Sequence, residues 1–461
     1  MRTLFGTDGI RGKAGEYPLD PQTMYALGES LAHRLKGKVP ESGLPVVDLP
    51  ANADGSRVPV VLLGMDTRES GPEIARALAA GMAHGGGKGV LIGVVPTPAV
   101  AYLCRITDAA AGISISASHN PFMDNGVKVF GHDGMKLPDS VEEQIEDELR
   151  AVRRDDVTIP EAPLPNRPDL VESYEKFLMS GVAPKALAGK RAVLDVGHGA
   201  AHRIAPEVFR FCGADVFVIN DQPNGRNIND NAGALHPEGL ARVVVERKAD
   251  FGVAFDGDAD RAIFADDAGR IRDGDEIIYL WAQRLQREGR LKNGCVVTTV
   301  MSNFGFERQL REDGVELCRA NVGDKYVLEL MMQRGAILGG EQSGHIIDLG
   351  VHTTGDGIHT ALVFGELLAQ ASVPFSQLKT FLPMPQLLLN QKVRSKPPLE
   401  SLSSYRTALA EATTELDGRG RILVRYSGTE NLVRVMVEGD DEPQIREVAG
   451  NLRDVLKREI G

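Results

Sequence analysis

Uninterrupted aliphatic runs that alternate with helical periodicity restrict this chain to an α/β architecture. Only strands covered by helices on both faces stay apolar at every position. The runs Val60–Leu63, Val90–Val95 and Gly112–Ser116 read as buried strands. Asp20-Pro21 supplies an N-cap followed by proline in the first helical turn, and Met24, Leu27 and Leu31 then fall on one face. Gly71-Pro72 opens a second helix carrying Ile74, Leu78 and Met82. Strand, helix, strand, helix predicts a parallel, helix-covered sheet.

The pattern then restarts. Residues 150–168 are charged and contain Pro160, Pro163, Pro165 and Pro168, which suits a linker. Strands are expected at Ala192–Val196, Asp215–Ile219 and Gly252–Phe255, with a helix near Pro237–Lys248. A further unit runs from Asp275, with a strand at Val296–Val300, helices near Phe306–Leu310 and Lys325–Met332, and Ile337–Leu338 leading into GGEQSGH. Prolines at 383, 385, 397 and 398 mark a change of composition. Beyond them, 386–461 reads as strand, helix, strand, strand, helix, a small α+β domain. The expected domains are 1–155, 169–270, 271–382 and 386–461. Residues 37–57 show no periodicity and read as an extended surface loop.

Composition narrows the function. With 42% hydrophobic and 25% charged residues, the 461-residue chain has the balance of a soluble globular protein. Its 52 Lys+Arg against 64 Asp+Glu give a net charge of −12, a poor footprint for nucleic acid. An anionic ligand would therefore need local cations and backbone N–H groups. Cys104, Cys212, Cys295 and Cys318 are scattered, without zinc spacing, and read as buried thiols. MRTLFGTDGIRG lacks the apolar core of a signal peptide, and the longest apolar run, Val90 to Cys104, is broken by Pro96 and Pro98. No membrane span is expected, and the cytoplasm is the expected compartment.

Four loops carry residues suited to chemistry. Ser116-Ala117-Ser118-His119-Asn120-Pro121 follows a strand and could project a hydroxyl into a cleft, although alone it reads equally as a Ser-rich turn. Phe255-Asp256-Gly257-Asp258-Ala259-Asp260-Arg261 places three carboxylates at alternate positions just past a strand, where open α/β sheets gather ligands. Oxygen ligands of that kind suit Mg²⁺, whereas a merely solvated acidic turn is the alternative. Gly339-Gly340-Glu341-Gln342-Ser343-Gly344-His345 offers Glu341 and Ser343 to vicinal hydroxyls or an amine, or forms a plain Gly-rich turn. Arg425-Tyr426-Ser427-Gly428-Thr429-Glu430-Asn431, with Arg434, combines cations, hydroxyls and glycine as a phosphate cradle would, without Walker spacing.

With these loops in this order, the sequence resembles the α-D-phosphohexomutase superfamily, and within it the bacterial phosphoglucosamine mutase family. The resemblance rests on FGTDGIRG (5–12), ISASHNPFMDNGVKVF (115–130), FDGDADR (255–261), VGDKYV (322–327), GGEQSGH (339–345) and SGTENLVRVMVEG (427–439), and covers nearly the whole chain. It departs from the family at Asn431, where proline is usual, and in the longer 37–57 loop. The implied fold is three successive α/β domains with mixed, mostly parallel sheets around a central cleft, plus a C-terminal α+β domain.

The resemblance further implies site roles. Ser118 becomes the phosphorylated nucleophile, and Asp256, Asp258 and Asp260 hold Mg²⁺ together with a phosphoryl oxygen on Ser118. Arg11 and Lys128 flank this centre. Lys128 could act as acid and base if neighbouring cations lower its pKa, with His345 a second such candidate and His119 a polar contact. Glu341 and Ser343 hold the ring, while Arg425, Ser427, Gly428, Thr429 and Arg434 hold the distal phosphate. The implied reaction converts glucosamine 6-phosphate to glucosamine 1-phosphate through a sugar bisphosphate, which also serves as activator. Closure of the last domain would retain that intermediate. The product would feed UDP-N-acetylglucosamine and cell-wall precursor synthesis. A small sugar phosphate is the expected partner of a monomer or homodimer, with neither nucleic acid nor membrane. A glucose or mannose phosphate mutase would share Ser118 and the Asp loop, whereas a non-catalytic sensor would lack the nucleophile or the metal ligands.

Overall fold

The strand Val60–Met65 is buried at every position and lies at the heart of a six-stranded sheet. In the computed structural model, which describes residues 4–6, 8–38, 40, 43–46, 57–151, 157, 159–161, 163–427 and 430–461, packing divides the chain into two units. One comprises Met1–Thr299 and Ala320–Lys379, the other Val300–Arg319 and Thr380–Gly461.

In the first unit, Val60–Met65 pairs in parallel with Lys88–Val94 on one side and Ala111–Ile115 on the other. The sheet then turns antiparallel through Asp124–Gly131, Gly9–Lys13 and Phe5–Gly6. These last three strands did not stand out in the sequence, because FGTDGIRG is rich in glycine and polar residues and in DNGVKVFG polar residues interrupt Val127, Val129 and Phe130. Their register lays Arg11 opposite Gly126, close in sequence to Lys128. Asp20 accepts a hydrogen bond from the Thr23 N–H at 3.0 Å and caps the helix Pro21–Leu35, as expected. This helix crosses Gly71–His84 so closely that a Cβ at Gly28 would lie 2.0 Å from the Leu78 carbonyl oxygen, and one at Gly81 1.8 Å from that of Tyr25. Both glycines are required for the backbones to approach.

The second sheet holds Asp215–Ile219, Arg191–Asp195 and Phe251–Phe255 in parallel, followed by antiparallel Ala262–Asp266 and Ile271–Arg272. In the third, Cys295–Thr299 runs parallel to Leu338–Gly340, which pairs antiparallel with Ile346–Asp348. All three are mixed sheets, each with a parallel region that delivers a loop from its strand ends.

In the second unit, Gln386–Lys392, Leu432–Gly439 and Gly420–Tyr426 form an antiparallel sheet in that order. Val433, Val435 and Val437 project from its central strand into a core closed by Ile445, Leu452 and Leu456 of the helix Glu442–Ile460. The strand, helix, strand, strand, helix order agrees with the expectation.

The four cysteines are buried thiols. Most of the 37–57 loop lies outside the described residues; within it Val46 is buried and its N–H donates to Asp108. Part of the expected linker joins the first sheet, since the Leu91 N–H donates to the Pro165 carbonyl. No described helix is long and apolar enough to cross a membrane.

Candidate active site

The parallel register places Met65 beside Ile115, so the residues that follow, Asp66 and Ser116, emerge side by side. Ser116 donates its hydroxyl to Asp66 and accepts the N–H of Ser118 at 2.9 Å. Ser118 itself is fully buried and left-handed, with φ of 52°. Its hydroxyl donates to Asp256 Oδ2 at 2.6 Å and lies 3.3 Å from His119 Nδ1.

The acidic loop leaves the strand Phe251–Phe255 and turns on Ala259, whose φ of 55° folds three alternate carboxylates inward. One oxygen from each of Asp256, Asp258 and Asp260 lies within 4.8 Å of the others, and all three side chains are buried. Burial, then the Asp260 and Asp258 charges, push the Asp256 carboxyl well above its usual range. Thr97 fixes Asp258 by donating its hydroxyl at 2.6 Å and accepts nothing from the carboxylate in return. Among the described residues, Asp258 Oδ1 and Asp260 Oδ1 are buried without a hydrogen-bond partner. Buried carboxylate oxygens without donors are costly unless a cation faces them. The donor set is therefore that of a hard-cation site, all oxygen and converging.

Cations ring this cluster. Lys128 Nζ lies 2.9 Å from Asp258, 3.0 Å from Asp260 and 3.1 Å from Asp8. Burial alone would lower its pKa, but these three carboxylates raise it well above the ordinary lysine value. The expected depression by neighbouring cations is thus corrected: the acidic neighbours outweigh Arg11, and Lys128 is a fixed positive charge. Arg11 pairs with Asp8, and the half-buried Arg261 places Nη1 3.3 Å from His119 Nδ1. Burial and then the Arg261 and Arg11 charges lower His119 to about 4, so its ring is neutral near pH 7. His345 is buried with Nδ1 3.7 Å from Asp260 and Nε2 3.6 Å from Asp324, while the Gly355 N–H donates to Nε2. A Cβ at Gly355 would meet that ring at 2.5 Å, so the contact depends on glycine.

The Gly-rich loop joins the acidic one where the Ala262 N–H donates to the Gly344 carbonyl at 3.1 Å. Glu341 accepts the Gly323 N–H at 3.2 Å and stays partly accessible, and Ser343 is exposed beside it. Ser118, Asp256, Asp258, Asp260, Lys128, His119 and His345 are therefore gathered within the first unit, with Arg11 and Glu341 nearby.

In the second unit Arg425 and Arg434 are direct cross-strand partners. Like charges so placed repel and suit an anion held between them. Burial, then Arg434, lowers the pKa of Arg425. Arg434 Nε is buried without a hydrogen-bond partner. Ser427 accepts the Glu430 N–H at 3.3 Å, and Lys396 donates to its carbonyl at 2.8 Å. Gly428 and Thr429 lie outside the described residues.

Sequence reasoning missed Asp8, Asp66, Arg68, Thr97, Lys136, Asn229, Asp324 and Lys396. Lys136 bridges Asp8 and Asp324, tying the opening segment to the partner of His345. Asp66 and Arg68 follow the C-terminal end of a parallel strand, the position at which α/β folds collect ligands, and that signal could have found them.

The chain matches four models of the phosphoglucomutase/phosphomannomutase family: alpha/beta/alpha domain I over residues 2–155, domain II over 171–269, domain III over 273–383, and the C-terminal domain over 388–455. It is 47% identical to the phosphoglucosamine mutase of Solibacter usitatus, covering 100% of this chain and 99% of that protein. It is 44% identical to that of Symbiobacterium thermophilum over 100% of both. Among solved structures, a phosphoglucomutase/phosphomannomutase family protein from Burkholderia thailandensis superposes with a TM-score of 0.78 at 22% identity, covering 99% of this chain and 98% of that one. Aspergillus fumigatus N-acetylphosphoglucosamine mutase, solved with GlcNAc-6P and magnesium, gives 0.65 at 17% identity, covering 99% and 96%. The two solved structures share the fold, and the relatives identical at more than two residues in five along their whole length settle the kinship: the chain belongs to the phosphoglucosamine mutase family.

Proposed function

We propose that Ser118 carries the phosphoryl group with which this chain interconverts glucosamine 6-phosphate and glucosamine 1-phosphate. The observation that carries this reading is the Ser118 hydroxyl, 2.6 Å from Asp256, in an acidic cluster where Asp258 and Asp260 each keep a buried oxygen without a donor. A phosphoryl group on Ser118 would replace the Asp256 hydrogen bond. Asp256, Asp258 and Asp260 would hold Mg²⁺, which when bound neutralises charge on a transferring phosphoryl group.

In the first half-reaction the bond from phosphorus to Ser118 Oγ breaks as one forms to the sugar O1, giving glucosamine bisphosphate. The O1 proton passes to the neutral His119 imidazole, and the imidazolium so formed protonates Ser118 Oγ as it leaves. Lys128, Arg11 and Arg261 stabilise the negative charge on the transferring oxygens, which is the larger part of catalysis for phosphoryl transfer. His119, neutral and 3.3 Å from Ser118 Oγ, is the nearer proton acceptor; burial alone would lower the pKa of His345, but Asp260 raises it, which suits that ring to donating a proton or contacting a phosphate. The bisphosphate then returns its 6-phosphoryl group to Ser118: the Ser118 hydroxyl proton passes to the imidazole, the bond from phosphorus to O6 breaks, and O6 takes that proton, so the enzyme is regenerated and glucosamine 1-phosphate leaves. Glu341 and Ser343 orient the ring, with the Glu341 carboxylate drawing the C2 ammonium. Arg425, Ser427, Gly428, Thr429 and Arg434 hold the phosphate that is not reacting. A sugar bisphosphate restores any enzyme that has lost its phosphoryl group. We assign the domains to 1–155, 169–270, 271–382 and 386–461, and the activity to the cytoplasm, where it would supply cell-wall precursors.

A coupled assay with glucosamine, glucose and mannose phosphates, primed with catalytic sugar bisphosphate, tests the reading. Glucosamine phosphate is expected to give the highest kcat/KM, with activity lost on chelation and restored by Mg²⁺. Faster turnover of glucose or mannose phosphate would overturn the substrate assignment, and full activity after chelation would overturn the metal.

A further inference from the structure

Ser118 holds a left-handed backbone conformation that strains an L-residue, and only surrounding structure can keep it there. Glycine would adopt the same φ without strain but would remove the hydroxyl. Both backbone groups of Ser118 are tied to one buried assembly. Its N–H donates to Ser116 Oγ, and Ser116 in turn donates to Asp66. Its carbonyl accepts from Arg68 Nη2 at 3.0 Å and from Asn229 Nδ2 at 2.9 Å. The same guanidinium reaches the carbonyls of Asn120 at 2.9 Å and Pro121 at 3.1 Å, and Asn229 reaches that of Asn120 at 3.1 Å. Asp66 closes the circuit by accepting Arg68 Nε at 3.0 Å and the Arg68 backbone N–H at 2.9 Å.

Asp66, Arg68 and Ser116 are each no more than 2% exposed. A buried guanidinium with a single carboxylate partner that spends its remaining donors on three backbone carbonyls of one loop is costly as a stability device. The cost is intelligible if the loop must not relax. We propose that Arg68, positioned by Asp66, together with Ser116 and Asn229, forms a positioning assembly that holds Ser118 in its left-handed conformation and aims Oγ at the acidic loop. None of the four touches the Ser118 hydroxyl itself, so they act through the backbone. Lysine cannot replace Arg68, because a single ammonium lacks the planar fork that reaches Asp66 and the loop carbonyls together.

The inference rests on Ser118 as the phosphoryl carrier, so Ser118→Ala is measured beside the other variants. Ser116→Ala removes one hydroxyl with little change of volume and is expected to fold. Its kcat should fall at least tenfold while KM for glucosamine 6-phosphate stays within threefold, and the rate at which sugar bisphosphate phosphorylates the enzyme should fall with kcat. Asn229→Ala should lower kcat by three- to tenfold with the same unchanged KM, and Arg68→Lys by more than a hundredfold. A merely structural role would lower the melting temperature or the phosphorylatable fraction and leave kcat per phosphorylatable enzyme unchanged. Folded Ser116→Ala and Asn229→Ala with wild-type kcat would overturn the positioning role, provided Ser118→Ala is inactive. Activity in Ser118→Ala would instead overturn the phosphoryl-carrier reading.

Discussion

Lys128 shows how a single residue changes meaning once its neighbours are known. On the sequence it is a lysine in DNGVK, and a role as proton carrier hung on the sign of a pKa shift. In the fold its ammonium sits among three carboxylates, two of them proposed metal ligands, and stays charged. Replacing it by methionine keeps the volume but leaves Asp258 and Asp260 facing each other without their counter-charge. Breaking a buried ion pair in this way is expected to cost about 3–5 kcal/mol. Lys128→Met should therefore melt well below the wild type in chelator, regain part of the difference in Mg²⁺, and lose at least a hundredfold in kcat. Differential scanning calorimetry with and without Mg²⁺, beside the coupled assay, checks this. A melting temperature unchanged in chelator would mean that the ammonium contributes nothing to the cluster. The carboxylates themselves were legible, because three acidic residues at alternate positions after an apolar strand have few other uses. Arg68 was not, since its partners lie on Ser118, Asn120 and Pro121 and no spacing along the chain announces a register between two strands.

At the scale of elements, the helix-covered parallel strands were readable because burial on both faces forces continuous aliphatic sequence. Phe5–Gly6 and Gly9–Lys13 escaped because antiparallel extension of the sheet needs only backbone pairing, which glycine and polar residues supply; Asp124–Gly131 escaped although Val127, Val129 and Phe130 are buried, because Asp, Asn, Gly and Lys break up its apolar residues. The elements are also clamped by a histidine that the chemistry does not use. His352 donates Nε2–H to the Pro98 carbonyl, next to the start of the helix Thr97–Ile106, and accepts the Thr353 N–H at Nδ1. Burial first, then His359 and Arg105, lowers its pKa to about 3. Because the folded value lies below the unfolded one, near 6.5, the unfolded chain binds the proton more readily. Stability is then fully present above about pH 6.5 and is lost as pH falls towards 3, by up to ~5 kcal/mol in total. Urea titrations between pH 7 and 5 should show a midpoint that falls with pH in the wild type and falls less steeply in His352→Gln. Equal slopes in the two proteins would place the acid sensitivity elsewhere.

For the whole molecule, the net charge of −12 and an anionic sugar phosphate pull in opposite directions. The chain answers locally: Arg11, Lys128 and Arg261 stand around Ser118 in one unit, and Arg425, Arg434 and Lys396 stand around Ser427 in the other. Everything in this scheme depends on a phosphoryl group that resides on Ser118 and moves to the sugar. The direct measurement is to phosphorylate the protein with isotopically labelled sugar bisphosphate, remove the excess, locate the label by peptide mass spectrometry and add unlabelled glucosamine 6-phosphate. The label should sit on Ser118, leave the protein within a single turnover and appear in glucosamine bisphosphate and glucosamine 1-phosphate, while Ser118→Ala neither takes up label nor turns over. Label on another residue, label that stays on Ser118 during turnover, or a Ser118→Ala protein within tenfold of wild-type activity, a barrier change of only about 1.4 kcal/mol, would contradict it.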